Sequence, residues 1–227
     1  MVTQMIDEAR KVSRSKSSRA TEAAVFVLVA ACLAIAASAP LASADQWQID
    51  PSHTGVEFSV RHMMISDVKG QFEKVSGTIS SNGTDPTSAQ IDATIDANSI
   101  DTRVAKRDAH LKSPDFLDVA KYPTITFKSK KVEAAGPGKW KVTGDLTLHG
   151  VTKEVVLDVT GPSSTIKDPM GNMRAGAEAT TKISRKDFGL TWNKALETGG
   201  VMVGDEIAIT IDVEAVKKAG APAAGGL

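Results

Sequence analysis

The sequence predicts an all-β domain, built as an antiparallel barrel or sandwich of about eight strands. Two observations predict it: apolar and polar residues alternate with a period of two over several segments, and turn residues separate those segments. The alternating part is about 170 residues long, which suits eight or so short strands. Because one face of each segment is polar, the pattern indicates antiparallel sheet rather than the buried strands of a parallel sheet.

The alternating segments follow one another from residue 56 to residue 213. Turn signals lie between them, such as Asn82-Gly83, His149-Gly150 and Gly199-Gly200. The segments predicted to be strands are residues 56–62, 89–95, 125–127, 140–148, 155–159, 175–183 and 207–213.

One stretch lacks alternation and is rich in helix formers. We predict one or two short helices over about residues 101–118, which would cross one end of a barrel. Ser113-Pro114-Asp115 has the order of a helix start, namely a capping hydroxyl, a proline that needs no N–H partner, and a carboxylate at the positive end.

The first 44 residues are predicted to be a signal peptide and not part of the domain. A basic leader precedes fifteen uncharged residues at 23–37, too few for a bilayer crossing of about 20, and Ala42-Ser43-Ala44 forms a small-x-small cleavage site. The mature protein would then begin at Asp45 and be periplasmic or secreted. The alternative is a lipoprotein with lipidated Cys32, since residues 29–32 are similar to a lipobox, but the apolar run continues past Cys32.

Composition excludes several classes of protein. Basic and acidic residues number 27 each, and removal of the signal peptide leaves a net charge of −2, so no positive field would gather nucleic acid. The single Cys excludes a disulfide framework. The four histidines form no close-spaced pair, and we expect no bound metal and no cofactor. The barrel domain is predicted over residues 45–216 and a disordered tail over 217–227.

Alanines on two predicted strands give the first indication of a binding function. Ala89 and Ala93 share the apolar phase of one strand, and Ala175, Ala177 and Ala179 that of another. Small inward residues leave a cavity in an eight-stranded barrel, whose interior is just wide enough for one ligand. The same alanines would also suit a tapering end or the space under the helices, and the pattern leaves both interpretations open.

Five blocks of the sequence resemble the YceI family and together cover essentially the whole mature domain, in order. They are residues 45–72 (DQWQIDPSHTGVEFSVRHMMISDVKGQF), 99–127 (SIDTRVAKRDAHLKSPDFLDVAKYPTITF), 144–157 (GDLTLHGVTKEVVL), 183–190 (ISRKDFGL) and 203–216 (VGDEIAITIDVEAV). The resemblance implies an exported bacterial protein with an eight-stranded lipocalin-like barrel that binds a long polyisoprenoid chain or a related amphiphile, without enzymatic activity. Leu117 departs from the pattern, because an aromatic residue often follows Phe116 in the family; this implies a different pocket width.

The resemblance brings no fixed ligand motif, so the predicted lining comes from matching apolar positions. These are Phe58, Val60, Ile91, Ala93, Ile95, Phe116, Phe127, Trp140, Leu146, Leu148 and Ile209. His53, His62 and Arg103, near the predicted openings, are the candidates for binding a polar head group.

Three function classes follow. The leading one is a non-enzymatic carrier in the bacterial envelope for a long-chain polyisoprenoid or related amphiphilic lipid, such as an isoprenoid quinone or a prenyl phosphate. The second is a lipid-modifying enzyme that uses inward histidines for acid–base chemistry. The third is a structural or envelope-stress barrel without a ligand. After signal cleavage we expect no stable membrane insertion, and the sequence leaves open whether two barrels pair as a homodimer.

Overall fold

The computed structural model describes residues 45–82, 85–197 and 199–218. The predicted signal peptide, with Cys32, and residues 219–227 of the predicted tail lie outside the described residues. In the part of the chain that is described, no helix is long and apolar enough to cross a membrane.

The described residues form twelve strands, one α-helix and three short 3-10 helices. The strands are β1 (Asp45–Ile49), β2 (Gly55–His62), β3 (Ser66–Phe72), β4 (Val75–Ser81), β5 (Gln90–Asp96), β6 (Ile100–Asp101), β7 (Thr124–Gly136), β8 (Lys139–Leu148), β9 (Val151–Thr160), β10 (Ile166–Lys167), β11 (Met173–Ser184) and β12 (Val203–Lys217), and the helix is α1 (Ala105–Lys112). The 3-10 helices are Pro86–Ser88, Ala97–Ser99 and Arg185–Phe188.

The strands close into one antiparallel barrel. β1 and β2 both pair with β12, so together they form one interrupted strand of the barrel, which we call a course. In the same way, β3 with β4 and β5 with β6 form two more interrupted courses. Together with β7, β8, β9, β11 and β12 they make eight courses, each paired with its neighbour in sequence. β12 also pairs with β11 along almost its whole length, which closes the ring and removes the free edges. The predicted eight-stranded antiparallel barrel is confirmed.

The strands that alternation did not predict, β1, β3 and β4, are short or contain glycine at an inward position. Gly70 on β3 is required there by close approach, since a Cβ atom at this position would lie 2.5 Å from Cζ of the Phe58 ring. A glycine removes the apolar signal at that position, and the alternation is lost although the strand forms.

The segment 97–123 covers one end of the barrel, as predicted, with one α-helix. The start of α1 is stabilised by Asp108, whose carboxylate accepts hydrogen bonds from the backbone N–H and the hydroxyl of buried Thr102. The predicted helix start at Ser113 is wrong: Ser113 follows the last residue of α1, and its Oγ accepts from the N–H of Asp115 in a turn. The proline at 114 prevents Ser113 from continuing the helix.

The covered end is also where the interior is filled. Phe188, Leu190, Leu117 and Ile183 belong to one buried cluster there. Arg185 is 2% exposed and holds the chain that crosses this end, donating to the carbonyl oxygens of Leu190, of Trp192 at 2.9 Å and of Gly204 at 2.9 Å, and to Asp205 Oδ1 at 3.0 Å.

The first and last described residues of the domain both lie at the end of the barrel opposite α1. β12 continues through Lys217, which pairs with Trp47, and the N–H of Lys218 donates to the carbonyl of Gln46 at 2.7 Å. The ordered domain therefore extends two residues into the segment predicted to be disordered. The hairpin of β10 and β11 also projects from this end, beyond the ring of eight courses.

Candidate functional site

A cavity of about 300 Å³ lies inside the barrel, and the surface facing it is entirely apolar. We name it the enclosed cavity because no exposed residue lines it. All its lining residues are buried or half-buried, so it has no exposed rim. Phe58, Ile95 and Ile209 point inward, yet they are only half-buried because their remaining accessible surface faces the cavity. The centre of the barrel is hollow, whereas a protein core is ordinarily packed with few voids larger than a water molecule.

Small residues on two strands account for this space. Ala93 on β5, and Ala177 and Ala179 on β11, line the enclosed cavity, and Ala89 and Ala175 line the second cavity described below. Of the two interpretations that the sequence leaves open for the alanines, the structure supports the cavity.

A second, open cavity of about 640 Å³ lies at the end of the barrel opposite α1. Its lining includes the exposed residues Asp85, Pro162, Ser163, Ser164, Thr165 and Met173, and it therefore opens to solvent. The walls of the two cavities share five residues, Ile79, Ile91, Val159, Ala177 and Val213. The two cavities are thus adjacent, the apolar one in the middle of the barrel and the open one at its end.

Polar groups lie at the mouth of the open cavity. Trp140 Nε1 donates to the carbonyl of Gly161 at 2.6 Å, which fixes the indole beside the opening. Lys217 Nζ and Asp45 Oδ2 form an ion pair of 2.7 Å. Asp85 accepts from the hydroxyl of Thr87 at 2.7 Å and from its N–H at 2.9 Å, and the hydroxyl hydrogen bond is the main reason that the pKa of the Asp85 carboxyl is lowered.

The predicted lining residues lie on the cavity walls. Ten of them line the enclosed cavity, namely Phe58, Val60, Ile91, Ala93, Ile95, Phe116, Phe127, Leu146, Leu148 and Ile209. Trp140 instead lines the open cavity. Leu117, the departure from the family pattern, also lines the enclosed cavity.

The predicted head-group residues do not lie on the cavity walls. His53, His62 and Arg103 are absent from the linings of both described cavities. Arg103 is exposed near the start of α1, and His62 ends β2 at the same end of the barrel. His62 and Arg103 lie near α1, where the barrel is closed, and His53 is exposed beside Asp50 without lining either cavity.

His53 belongs to a charged cluster beside the bend that separates β1 from β2. Ligand atoms of Asp50, His53 and Glu214 lie within 4.8 Å of one another, a spacing that could hold a metal ion. The guanidinium of Arg174 already binds two of these groups, with Nη1 2.6 Å from Asp50 Oδ2 and 2.5 Å from Glu214 Oε1. Its Nε also lies 2.8 Å from Asp168 Oδ2, and these bonds hold the pKa of both aspartates well below the usual range. The cluster therefore ties the β10–β11 hairpin to the barrel wall.

The other histidines have structural partners outside the cavities. His110 Nε2 lies 2.9 Å from Asp115 Oδ2, and its ring packs edge-on against Phe116 and Trp192. His149 Nδ1 lies 3.2 Å from the carbonyl oxygen of Phe188. Neither histidine is among the residues that line the two described cavities.

Comparison with known sequences finds one domain family and many relatives. A sequence model of the YceI-like domain matches residues 47–215. A UPF0312 protein of Vibrio cholerae is 39% identical over 166 residues, which are 72% of this chain and 87% of that protein.

Comparison with solved structures finds the same fold. The Campylobacter jejuni YceI protein is 36% identical, with a TM-score of 0.60 over 70% of this chain and 90% of that chain. A polyisoprenoid-binding domain from Saccharophagus degradans, implicated in plant cell wall breakdown, is 17% identical, with a TM-score of 0.57 over 76% of this chain and 98% of that domain. At 17% identity, the likeness to this second structure shows the fold alone.

Proposed function

The chain belongs to the YceI-like domain family, and we propose that its barrel binds one long-chain polyisoprenoid or related amphiphilic lipid without catalysing a reaction. The observation that carries the proposal is the hollow interior, in which an enclosed apolar chamber adjoins an open cavity with a partly polar mouth. The polyisoprenoid-binding domain of Saccharophagus degradans, which shares the fold, supports the same class of ligand.

The two cavities suit the two parts of an amphiphile. An apolar tail would fill the enclosed chamber, where its burial contributes about 25 cal/mol per Å² and requires no polar partner. A polar head would lie at the mouth, where side chains of Ser163, Ser164 and Thr165 reach solvent. The head could not lie at the other end without leaving its polar atoms unpaired among apolar walls.

The charges at the mouth favour an uncharged head such as that of an isoprenoid quinone over a prenyl phosphate. Among the described residues that line the open cavity, Lys217 is paired with Asp45 and Asp85 has no cationic partner. A phosphate placed there would lie beside an uncompensated carboxylate, which disfavours its charged form.

We further propose that the protein is an exported carrier in the bacterial envelope, with residues 1–44 removed. Asp45 is the first residue of β1, so cleavage after Ala44 would leave every described strand intact. Cleavage before Cys32 would leave the same strands intact, so the preference for a signal peptide over a lipoprotein rests on the apolar run that continues past Cys32. Mass measurement of the N-terminal peptide from bacterial cells tests it: we expect Asp45 first, and an intact Met1 or a lipid on Cys32 contradicts it.

The positions of the histidines support a binding protein rather than a lipid-modifying enzyme. All four histidines are described, and none lines either cavity, so none faces the space that a bound lipid would occupy. A general acid or base must lie within hydrogen-bond reach of the reacting group.

Uptake from detergent tests the proposed function. Purified protein is mixed with a fluorescent prenyl quinone in micelles and separated from them by gel filtration. We expect about one lipid per chain, and affinity that rises with tail length until the chamber is filled. Failure to retain any lipid, at every tail length, would support the ligand-free structural barrel instead.

A further inference from the structure

The hairpin formed by β10 and β11, residues 166–173, exposes three large apolar side chains. Ile166 is 62% exposed, Met170 79% and Met173 38%. We name this segment the mouth hairpin. Three exposed apolar side chains on one short hairpin of a soluble-type fold are typical of an interaction surface.

The mouth hairpin lies directly beside the opening of the barrel. Met173 is exposed and also lines the open cavity, as do residues 162–165, which lead into the hairpin. Met173 thus connects the hairpin to the lining of the open cavity.

The hairpin is held in place rather than free to fold over the opening. Asp168 accepts from Arg174 Nε at 2.8 Å and from the N–H groups of Met170 and Asn172 at 2.9 and 2.8 Å. Arg174 is bonded in turn to Asp50 beside the β1–β2 bend. The exposed side chains are thus presented outward on a braced support.

Three lysines at this end can pair with the phosphates of an anionic surface. Lys167 in the hairpin, Lys139 at the β7–β8 turn and Lys218 after β12 are exposed and form no ion pair with other described residues. The acidic residue of the hairpin, Asp168, is bonded to Arg174, which it shares with Asp50 and Glu214. Exposed apolar side chains next to unpaired lysines are the combination that binds the interface of an anionic bilayer.

The cargo gives a reason for this surface, and here the inference rests on the proposed function. A long isoprenoid chain dissolves in bilayers and scarcely in water, so a carrier that released it into solution would expose all of its apolar area. Transfer avoids that exposure only if the opening faces the bilayer. We propose that the mouth hairpin inserts Ile166, Met170 and Met173 into the outer part of an anionic lipid bilayer, with the open cavity facing the lipid during cargo transfer.

Sedimentation with vesicles of phosphatidylcholine and phosphatidylglycerol tests the proposal, with protein purified from cells that express the full chain. The test variant is Ile166→Ser with Met170→Ser, neither of which lines a cavity. The matched control is Met64→Ser with Ile65→Ser, which are 56% and 75% exposed at the end near α1. We expect vesicle binding to fall about ten-fold in the hairpin variant and to stay within about two-fold in the control.

Two further measurements complete the test. Replacing phosphatidylglycerol by phosphatidylcholine, or Lys167 by Gln, should weaken vesicle binding several-fold. Uptake of the prenyl quinone from detergent should be the same in all variants, whereas transfer from vesicles should be slower in the hairpin variant. If the parent protein takes up no quinone from detergent, the proposed function is wrong. Vesicle binding by parent and hairpin variant then still tests whether the mouth hairpin binds a bilayer.

Several results would overturn the proposal. They are a parent protein that does not bind vesicles, equal binding by hairpin variant and parent, or loss of binding in the control variant instead. A change of oligomeric state in the hairpin variant without vesicles would assign the surface to a second copy of the chain.

Discussion

Ala93 on β5 and Phe127 on β7 lie directly opposite each other on neighbouring strands, and both side chains line the enclosed cavity. The phenyl ring occupies space next to Gly144, where a Cβ atom would come within 2.5 Å of the ring. The methyl group of Ala93 occupies little of the barrel interior, and the enclosed cavity lies beside it. The small side chain of Ala93 thus contributes, with Ala177 and Ala179, to the space in the middle of the barrel.

Ala93→Trp should fill the chamber and abolish lipid binding while the barrel still folds. The indole would occupy space that no protein atom holds, so overpacking, which ordinarily costs about 1–3 kcal/mol, should be small. Thermal unfolding and lipid uptake from detergent are measured together. Thr94→Trp, on the opposite face of β5, is the control and should leave both unchanged; a strongly destabilised Ala93→Trp protein would indicate a packed core.

Arg185→Met should destabilise the barrel by about 3–5 kcal/mol. The guanidinium is 2% exposed and satisfies several backbone carbonyls of residues 190–204, which would be left buried without a donor. Urea unfolding measures the loss. Lys186→Met removes an exposed cation from the same Asp205 and should change little; equal effects of the two substitutions would show that the ion pair, and not the carbonyl network, stabilises this end.

The Arg174 cluster should make stability fall in acid. Asp50 and Asp168 have folded-state pKa values below the ordinary value of about 3.9, so their contribution is complete above that pH and is lost as the pH falls through the folded-state values. Urea unfolding between pH 7 and pH 2 should show this decline. Arg174→Met should be less stable at pH 7 with a flatter acid decline, whereas a decline as steep as that of the parent would locate the titrating groups elsewhere.

Asp85→Asn should raise the affinity for a prenyl phosphate and leave that for a prenyl quinone of equal tail length unchanged. The substitution removes the carboxylate that has no cationic partner among the described lining residues, and keeps a side chain that can accept from Thr87. Competition between the two lipids for the barrel measures it. Parent protein that prefers the phosphate would contradict the assignment of an uncharged head.

The sequence predicts the barrel well because its signal is local. Alternation in β2, β5, β8, β11 and β12 follows directly from one inward and one outward face. β3, β4 and the bend at residues 50–54 could not be predicted, since the bend and the glycines at 70 and 77 are explained only by the partner strands. The helix start at Ser113 was mispredicted because its turn and a true cap use the same residue types.

The site was predictable in part. Inward phase is a property of one strand, and it located the residues on the enclosed walls, although their role in binding stays a prediction. The role of Arg185 could not be predicted from the sequence, because its partners are backbone carbonyls of other segments. The mouth hairpin could not be predicted either, because β10 has only two residues and shows no alternation. Which end is open depends on where residues 97–123 pack, and this explains why His62 and Arg103 lie away from the mouth, whereas His53 is exposed and bonded to Asp50.

Mass spectrometry of an organic extract tests the central claim most directly. The protein is purified without detergent from bacterial cells that express the full chain, then extracted, and the lipid is quantified per chain. The account predicts close to one long-chain isoprenoid lipid per barrel in the parent and little in Ala93→Trp. An extract without stoichiometric lipid, from protein that also takes up none from detergent, would contradict it.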